Sequence, residues 1–349
     1  MNPGKWDPAV RESLNTLLAS AEPGGYAVFD FDKTSIAHDV SQALWVYQIE
    51  HLRYADAPGH HFLDGIPDPS RELVPGVSFS DMGAVLESEF VQLSQLLAQG
   101  QDIGQVRETE VYLDFRARMF TLLEKMDGVF GGPVSYLWMP GLLAGYTEQE
   151  AREVVRDAVV EHLGKEKLAV EQWRSPDGRW GGAVERGIYF SPEMKDLYAC
   201  LAGNGIDAYV CSASLELIVE VLACDPQLGP GLPPERVFGL RFAPSGRLEA
   251  RYDSTYVQPI GPGKVACIQS LIAPNHGGAA PVLVGGDSNG DVPMLTAFPD
   301  MRYGLIIDVG RSRTSPIGEL AALARSGDKR YLLQPAFAKA DGAMEGGGI

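Results

Sequence analysis

An apolar run that ends in two carboxylates one residue apart, Tyr26-Ala27-Val28-Phe29-Asp30-Phe31-Asp32-Lys33-Thr34-Ser35, restricts this chain more than any other stretch. Four apolar residues in a row suit a strand buried on both faces, as in a parallel sheet, and sheets of that kind bind ligands just beyond the carboxyl ends of their strands. Asp30 and Asp32 stand at that end. Their spacing lets a nucleophilic carboxylate and a proton-handling carboxylate act on neighbouring atoms of one substrate. The stretch taken alone is equally compatible with an Asp-rich turn that caps a helix starting near Ser35.

The same punctuation recurs downstream. A strand at 207–211 stops at Ser212, one at 281–286 runs into Asp287-Ser288-Asn289-Gly290-Asp291, and one at 303–307 ends at Asp308. Helices are expected at 192–201, 214–223 and 264–272, the last opened by Lys264, and a β-hairpin at 237–252. Residues 36–185 lack strand–helix alternation. They show helical spacing at 82–98, 106–126 and 148–164, with an irregular passage at 55–83 and a glycine-rich break at 128–133. The expected organisation is an α/β core built from 1–35 and 186–335, a mostly helical cap at 36–185 inserted after the first strand, and a flexible tail at 336–349.

The formal charge of −17 argues against nucleic acid and anionic membrane surfaces as partners. No stretch reaches the roughly 18 consecutive apolar residues of a membrane span, and the N-terminal residues lack the pattern of a secretory leader, so a cytoplasmic protein is expected. Four cysteines without C-x-x-C spacing point to buried thiols rather than thiolate–metal sites or a disulfide framework. Any metal should therefore have oxygen ligands. Convergent carboxylates favour Mg²⁺, which binds through few protein oxygens and substrate phosphate, while Ser212 and Lys264 offer the groups needed for the remaining phosphate oxygens. A Ser212 followed directly by a helix would add backbone N–H groups at its positive end. The Asp287 loop opens like a calcium-binding EF-hand, but Val292 and Phe298 stand where that loop requires Gly and Glu.

In order and spacing, Asp30-Phe31-Asp32-Lys33-Thr34, Ser212, Lys264 and Gly286-Asp287-Ser288-Asn289-Gly290-Asp291 resemble the four motifs of the haloacid dehalogenase-like (HAD) hydrolase superfamily. The phosphoserine phosphatase-like branch fits better than the dehalogenases, which lack the second aspartate, or the ion-pumping ATPases, which carry threonine there. The resemblance implies a Rossmann-like, mostly parallel sheet core and a Mg²⁺-dependent phosphomonoesterase acting on a small phosphate ester. Asp30 would be the nucleophile that becomes an aspartyl-phosphate, and Asp32 the acid and then the base. Mg²⁺ would be held by Asp30, the main-chain carbonyl of Asp32 and Asp287, with Asp291 behind them. Ser212 and Lys264 would bind phosphoryl oxygens, and Thr34 would orient the first loop.

The large cap and the neighbourhood of His38-Asp39 also resemble phosphorylcholine phosphatases. Trp45, Tyr47, Tyr136, Trp138, Trp173 and Trp180 could face a quaternary ammonium, with Glu87 or Glu89 for charge; Arg53, Arg116 and Arg118 would suit a carboxylate instead. Aromatics in a helical cap are more commonly core. Phosphoryl transfer to another alcohol, as in a phosphotransferase or mutase, and simple phosphate-ester binding remain open beside hydrolysis.

Overall fold

A computed structural model of the chain describes residues 1–20, 23–55 and 59–338; the expected flexible tail lies mostly outside them. A lead-in helix, α1 (Pro8–Ser20), buries Val10, Leu14, Leu17 and Leu18 at the spacing the sequence shows. The double-aspartate strand is β1 (Tyr26–Phe29), all of it buried. Its side chains alternate, Ala27 and Phe29 entering one apolar cluster and Tyr26 and Val28 another. That division places a helical layer on each face of the sheet and explains the uninterrupted apolar run.

The chain then leaves the sheet. Helix α2 (Val40–His51) starts at Asp39, whose carboxylate accepts the Gln42 N–H at 2.8 Å. A short hairpin, β2 (Glu72–Val74) and β3 (Val77–Ser78), leads into α3 (Phe79–Ala98), which Ser78 and Asp81 open with a capping box. Next come α4 (Ile103–Arg107), α5 (Glu110–Phe130), α6 (Gly132–Gly141) and α7 (Glu148–His162). A second hairpin, β4 (Ala169–Arg174) and β5 (Gly181–Arg186), closes the insertion. Its interior is a separate apolar cluster around Trp45, Phe62, Phe90, Phe115, Trp138 and Trp173.

The core resumes with α8 (Pro192–Gly203), β6 (Asp207–Leu215), α9 (Glu216–Ala223), β7 (Val237–Leu240) and α10 (Pro262–Cys267). It ends with β8 (Leu283–Gly286), α11 (Val292–Thr296), β9 (Tyr303–Asp308), α12 (Pro316–Arg325) and β10 (Tyr331–Pro335). The six core strands lie in the order β10-β9-β8-β1-β6-β7, and every pairing is parallel. β1 is central. Phe29 is in register with Val210 of β6 and Gly285 of β8, so the residues after these three strands emerge side by side at the point where the topology switches direction.

Outgoing and returning connections of the insertion are tied together. Ala37 and Tyr189 form an antiparallel bridge, with the Ala37 N–H donating to the Tyr189 carbonyl at 2.8 Å. Lys33 reaches Glu185 of β5 at 2.9 Å.

Several expectations need correction. The proposed 237–252 hairpin is instead a strand parallel to β6 plus a single bridge between Phe242 and Tyr252; the Pro- and Gly-rich connection does not sustain a ladder. β6 runs through Ser212 to Leu215, and α9 starts only at Glu216, so Ser212 has no helix amides directly behind it. The glycine-rich break at 128–133 shrinks to Gly131, with φ 85°, between two helices. Although α7 falls inside residues 36–185, its buried Ala151, Val154, Val155, Ala158 and Val159 belong to the apolar cluster on the sheet, and Arg156 pairs with Asp225 at 2.7 Å.

Candidate active site

The sheet order brings the three polar tips together. Asp30 follows β1, with its N–H donating to the Gly285 carbonyl at 2.9 Å, which ties it to β8. One helical turn follows, in which Ser35 and Ile36 donate to the Phe31 carbonyl. Lys33 has a left-handed backbone, φ 59°, and donates to the His38 carbonyl at 3.0 Å. The Ser35 hydroxyl fixes the turn from behind, donating to the Asp30 carbonyl at 2.7 Å beside the buried Tyr198 hydroxyl at 2.8 Å.

Lys264 enters from α10. Its ammonium donates to Asp30 Oδ1 and to Asp291 Oδ1, each at 2.6 Å, with all three groups buried. Asp291 turns back over the β8 tip, where its Oδ2 accepts the N–H groups of Asp287 and Ser288 and the Ser288 hydroxyl. Gly286 permits that approach, since a Cβ there would lie 2.4 Å from the Asp291 Cβ. One carboxylate oxygen each from Asp30, Asp287 and Asp291 lie within 4.8 Å of one another. Thr34 stands between Asp30 and Asp287, at the long distances of 3.5 and 3.4 Å.

Asp32 points elsewhere. Its carboxylate accepts the Val40 N–H at 2.7 Å and the Ser214 hydroxyl at 2.6 Å, and Ser41 in turn donates to Ser214 at 2.9 Å. The Asp32 side chain is thus apart from the three clustered carboxylates. Ser212 is buried and accepts the Ser214 N–H at 3.1 Å, which uses its oxygen and leaves the hydroxyl hydrogen to be donated.

The three clustered carboxylates meet two cations, Lys264 and Arg311, whose guanidinium donates to Asp287 at 2.8 Å. The excess of negative charge registers in the acidities. Asp30 is pushed up to about 8, by burial first and then by Asp291, with Lys264 pulling the other way. Burial and Asp291 raise Asp287 to about 6 against the opposing pull of Arg311. Asp32 is pushed well up by burial and Asp39, against the hydrogen bonds from Ser214 and Val40. Burial would lower Lys264, yet Asp291 and Asp30 outweigh it and hold the ammonium charged. A buried, all-oxygen cluster short of positive charge fits a small divalent cation such as Mg²⁺.

The metal-free protein should therefore lose stability as pH rises. Unfolded aspartate releases its proton near 3.9, whereas folded Asp287 and Asp30 hold theirs to about 6 and about 8. Between those values the folded state binds more protons, so stability is greatest at the acid end of that window and declines through it. Mg²⁺ at about 100 times its Kd should add about 2.7 kcal/mol and flatten the decline. Urea unfolding from pH 4.5 to 8.5, with Mg²⁺ or EDTA, measures both effects; Asp287→Asn should lose most of the Mg²⁺ increment.

A sequence profile described as haloacid dehalogenase-like hydrolase matches residues 133–296, a span that includes Ser212, Lys264, Asp287 and Asp291. Over that span the chain is similar to the haloacid dehalogenase-like hydrolases. The phosphorylcholine phosphatase of Pseudomonas aeruginosa is 29% identical over 236 residues, 67% of this chain and 54% of its own length. This chain thus corresponds to about half of that relative. A crystal structure from Anaerococcus prevotii DSM 20548, described as a conserved functionally unknown protein, matches with a TM-score of 0.87 at 28% identity, covering 99% of each chain. That match extends over the insertion as well as the hydrolase core.

Most of the insertion's candidate residues lie away from this carboxylate centre. Trp45 and Trp173 are fully buried and stacked at 5.4 Å. Trp138 donates to the Phe62 carbonyl, and Trp180 lies beneath Arg118 and Arg179. Tyr47 packs in the apolar cluster on the sheet. Glu89 is held by Arg118 at 2.9 Å, Glu87 pairs with His61, and Arg116 pairs with Glu171. Tyr136 differs: it is 43% exposed, and its phenol is raised by burial and then by Asp127, with Lys264, Asp291 and Asp30 also within its electrostatic reach. Sequence reading missed Ser41, Ser214 and Arg311. Ser214 was visible two residues after Ser212, but only the extension of β6 through it shows that it serves Asp32.

Proposed function

We propose that this chain is a Mg²⁺-dependent phosphomonoesterase that hydrolyses a small phosphate ester through a phosphorylated Asp30. The observation that carries this reading is the Asp30 carboxylate itself, bound by a buried lysine at 2.6 Å and grouped with Asp287 and Asp291. Asp30 attacks phosphorus, forming an O–P bond as the ester O–P bond breaks. Asp32, whose proton burial retains, passes it to the departing alkoxide. The resulting Asp32 carboxylate then takes a proton from water, which attacks the same phosphorus and frees phosphate and Asp30.

Ser214, itself held by Ser41, fixes the Asp32 carboxylate for both transfers. Lys264 and Ser212 meet the phosphoryl oxygens, and Thr34 keeps the Asp30 loop against Asp287. Asp30, the Asp32 main-chain carbonyl and Asp287 would hold Mg²⁺, supported by Asp291. When bound, the ion supplies the positive charge that keeps Asp30 ionised and neutralises the phosphoryl group. The mostly helical segment 36–185 would act as the cap that reads the alcohol, with Tyr136 facing the substrate. Phosphocholine is the favoured ester, on the likeness to the Pseudomonas aeruginosa enzyme. The four cysteines are all free, which supports a cytoplasmic setting.

Phosphate release from phosphocholine, phosphoserine and sugar phosphates, with Mg²⁺ or EDTA and with an added acceptor alcohol, tests the proposal. Mg²⁺-dependent release with phosphocholine as the best substrate is expected. Release of alcohol without free phosphate would mean transfer, and binding without turnover would remove the enzymatic reading.

A further inference from the structure

The C-terminal ends of α2 and α7 meet, and each helix finishes with the same pair of residues, Glu50-His51 and Glu161-His162. One carboxylate oxygen each from Glu50 and Glu161 and one ring nitrogen of His162 lie within 4.8 Å of one another. His51 Nε2 stands 3.0 Å from Glu161 Oε2. We propose that Glu50, Glu161 and His162, joined by His51, bind a divalent ion of the zinc class, independently of the Asp30 site.

The choice of ion follows from the donors. Imidazole with carboxylate suits Zn²⁺, Co²⁺ or Ni²⁺, whereas the all-carboxylate cluster at Asp30 suits Mg²⁺. His162 supplies the observation that points to a ligand: the residue is only 4% exposed, yet its Nε2 is buried without a hydrogen-bond partner. An imidazole left in that position costs free energy unless something engages it. Burial, aided by Arg186, keeps its ring neutral down to about 4, so metal binding at neutral pH displaces no proton from it. Two helix C-termini also end here, and their carbonyls favour positive charge.

Arg186 is the obvious competitor, since it donates to Glu50 Oε2 at 2.6 Å. It also donates to Glu171 Oε2 at 2.6 Å, so it keeps a partner when Glu50 turns to an ion. With His162 neutral, Glu50, Glu161 and Arg186 leave one net negative charge to receive a cation. Tetrahedral ligands at zinc distances stand roughly 3.4 Å apart, so the three groups close by small rotamer shifts. The returning chain is part of the same knot, with Ile188 N–H donating to the His162 carbonyl at 2.9 Å. A bound ion would therefore fasten the end of α2 to the end of α7.

The test uses full-length, chelator-stripped protein in excess Mg²⁺, which fills the carboxylate site, titrated with Co²⁺ and followed by its visible absorption, then displaced by Zn²⁺. One saturable equivalent is expected, weakened at least tenfold in both Glu161→Gln and His162→Gln and unchanged in Asp287→Asn. Because Glu161 is partly exposed, its variant decides the matter if His162→Gln fails to fold. No saturable binding, unchanged affinity in Glu161→Gln, or loss of binding in Asp287→Asn would each overturn the proposal, the last by returning the ion to the Asp30 cluster.

Discussion

Asp30→Asn should abolish turnover, lowering kcat by about 10⁴-fold or more, the range found when a covalent nucleophile is removed. The amide matches the carboxylate in shape, so Lys264 retains a hydrogen-bond acceptor and the sheet tip keeps its geometry. It cannot form the O–P bond. Folding should survive, because the neutral amide spares a buried cluster the cost of ionising Asp30, which burial holds up to about 8; metal-free Asp30→Asn should be at least as stable as the parent protein. An inactive but intact variant separates a lost nucleophile from a lost fold. Steady-state phosphate release and urea unfolding on the same preparation measure the two quantities.

Lys264→Met should affect stability as well as activity. The ammonium lies between Asp30 and Asp291 at 2.6 Å from each, and Asp291 is fully buried. Removing one partner of a buried ion pair leaves uncompensated charge and costs about 3–5 kcal/mol. Asp291→Asn combined with Lys264→Met should recover part of that loss, because the double variant no longer buries the second charge beside the first. Activity should not recover, since the phosphoryl oxygens still lack their cation. Urea midpoints for the four members of this double-mutant cycle give the coupling directly; additive losses would show that the Lys264–Asp291 contact has little energetic content.

The site was legible in the sequence where chemistry and strand ends coincide. An apolar run followed by aspartate points to a buried parallel strand and its carboxyl end, which is how Asp30 and Asp287 stood out; Lys264 was visible only through its order among the motifs, and the fold brings it to Asp30 and Asp291. Ser212 was identified with the wrong local structure. Serine caps helices well enough to suggest that α9 began there, but tertiary pairing with β7 carried the strand on to Leu215. Arg311 gave no signal, because a lone arginine after a strand resembles any solvated one until β9 is known to lie beside β8. In the insertion, the aromatic pattern was visible but its meaning was not. Trp45 and Trp173 at helical and strand positions are core residues, and only burial distinguishes them from Tyr136. Hairpin β4–β5 was also hidden, since its alternation is weak and its apolar contacts are to α5.

The central claim is that Asp30 becomes phosphorylated. Protein mixed with ³²P-labelled phosphocholine and Mg²⁺, quenched in acid within one turnover and digested, should yield a single labelled peptide. That peptide should contain Asp30, lose its label to hydroxylamine, and be absent from Asp30→Asn. Sustained phosphate release with no label on Asp30, or with label on another residue, would contradict the account.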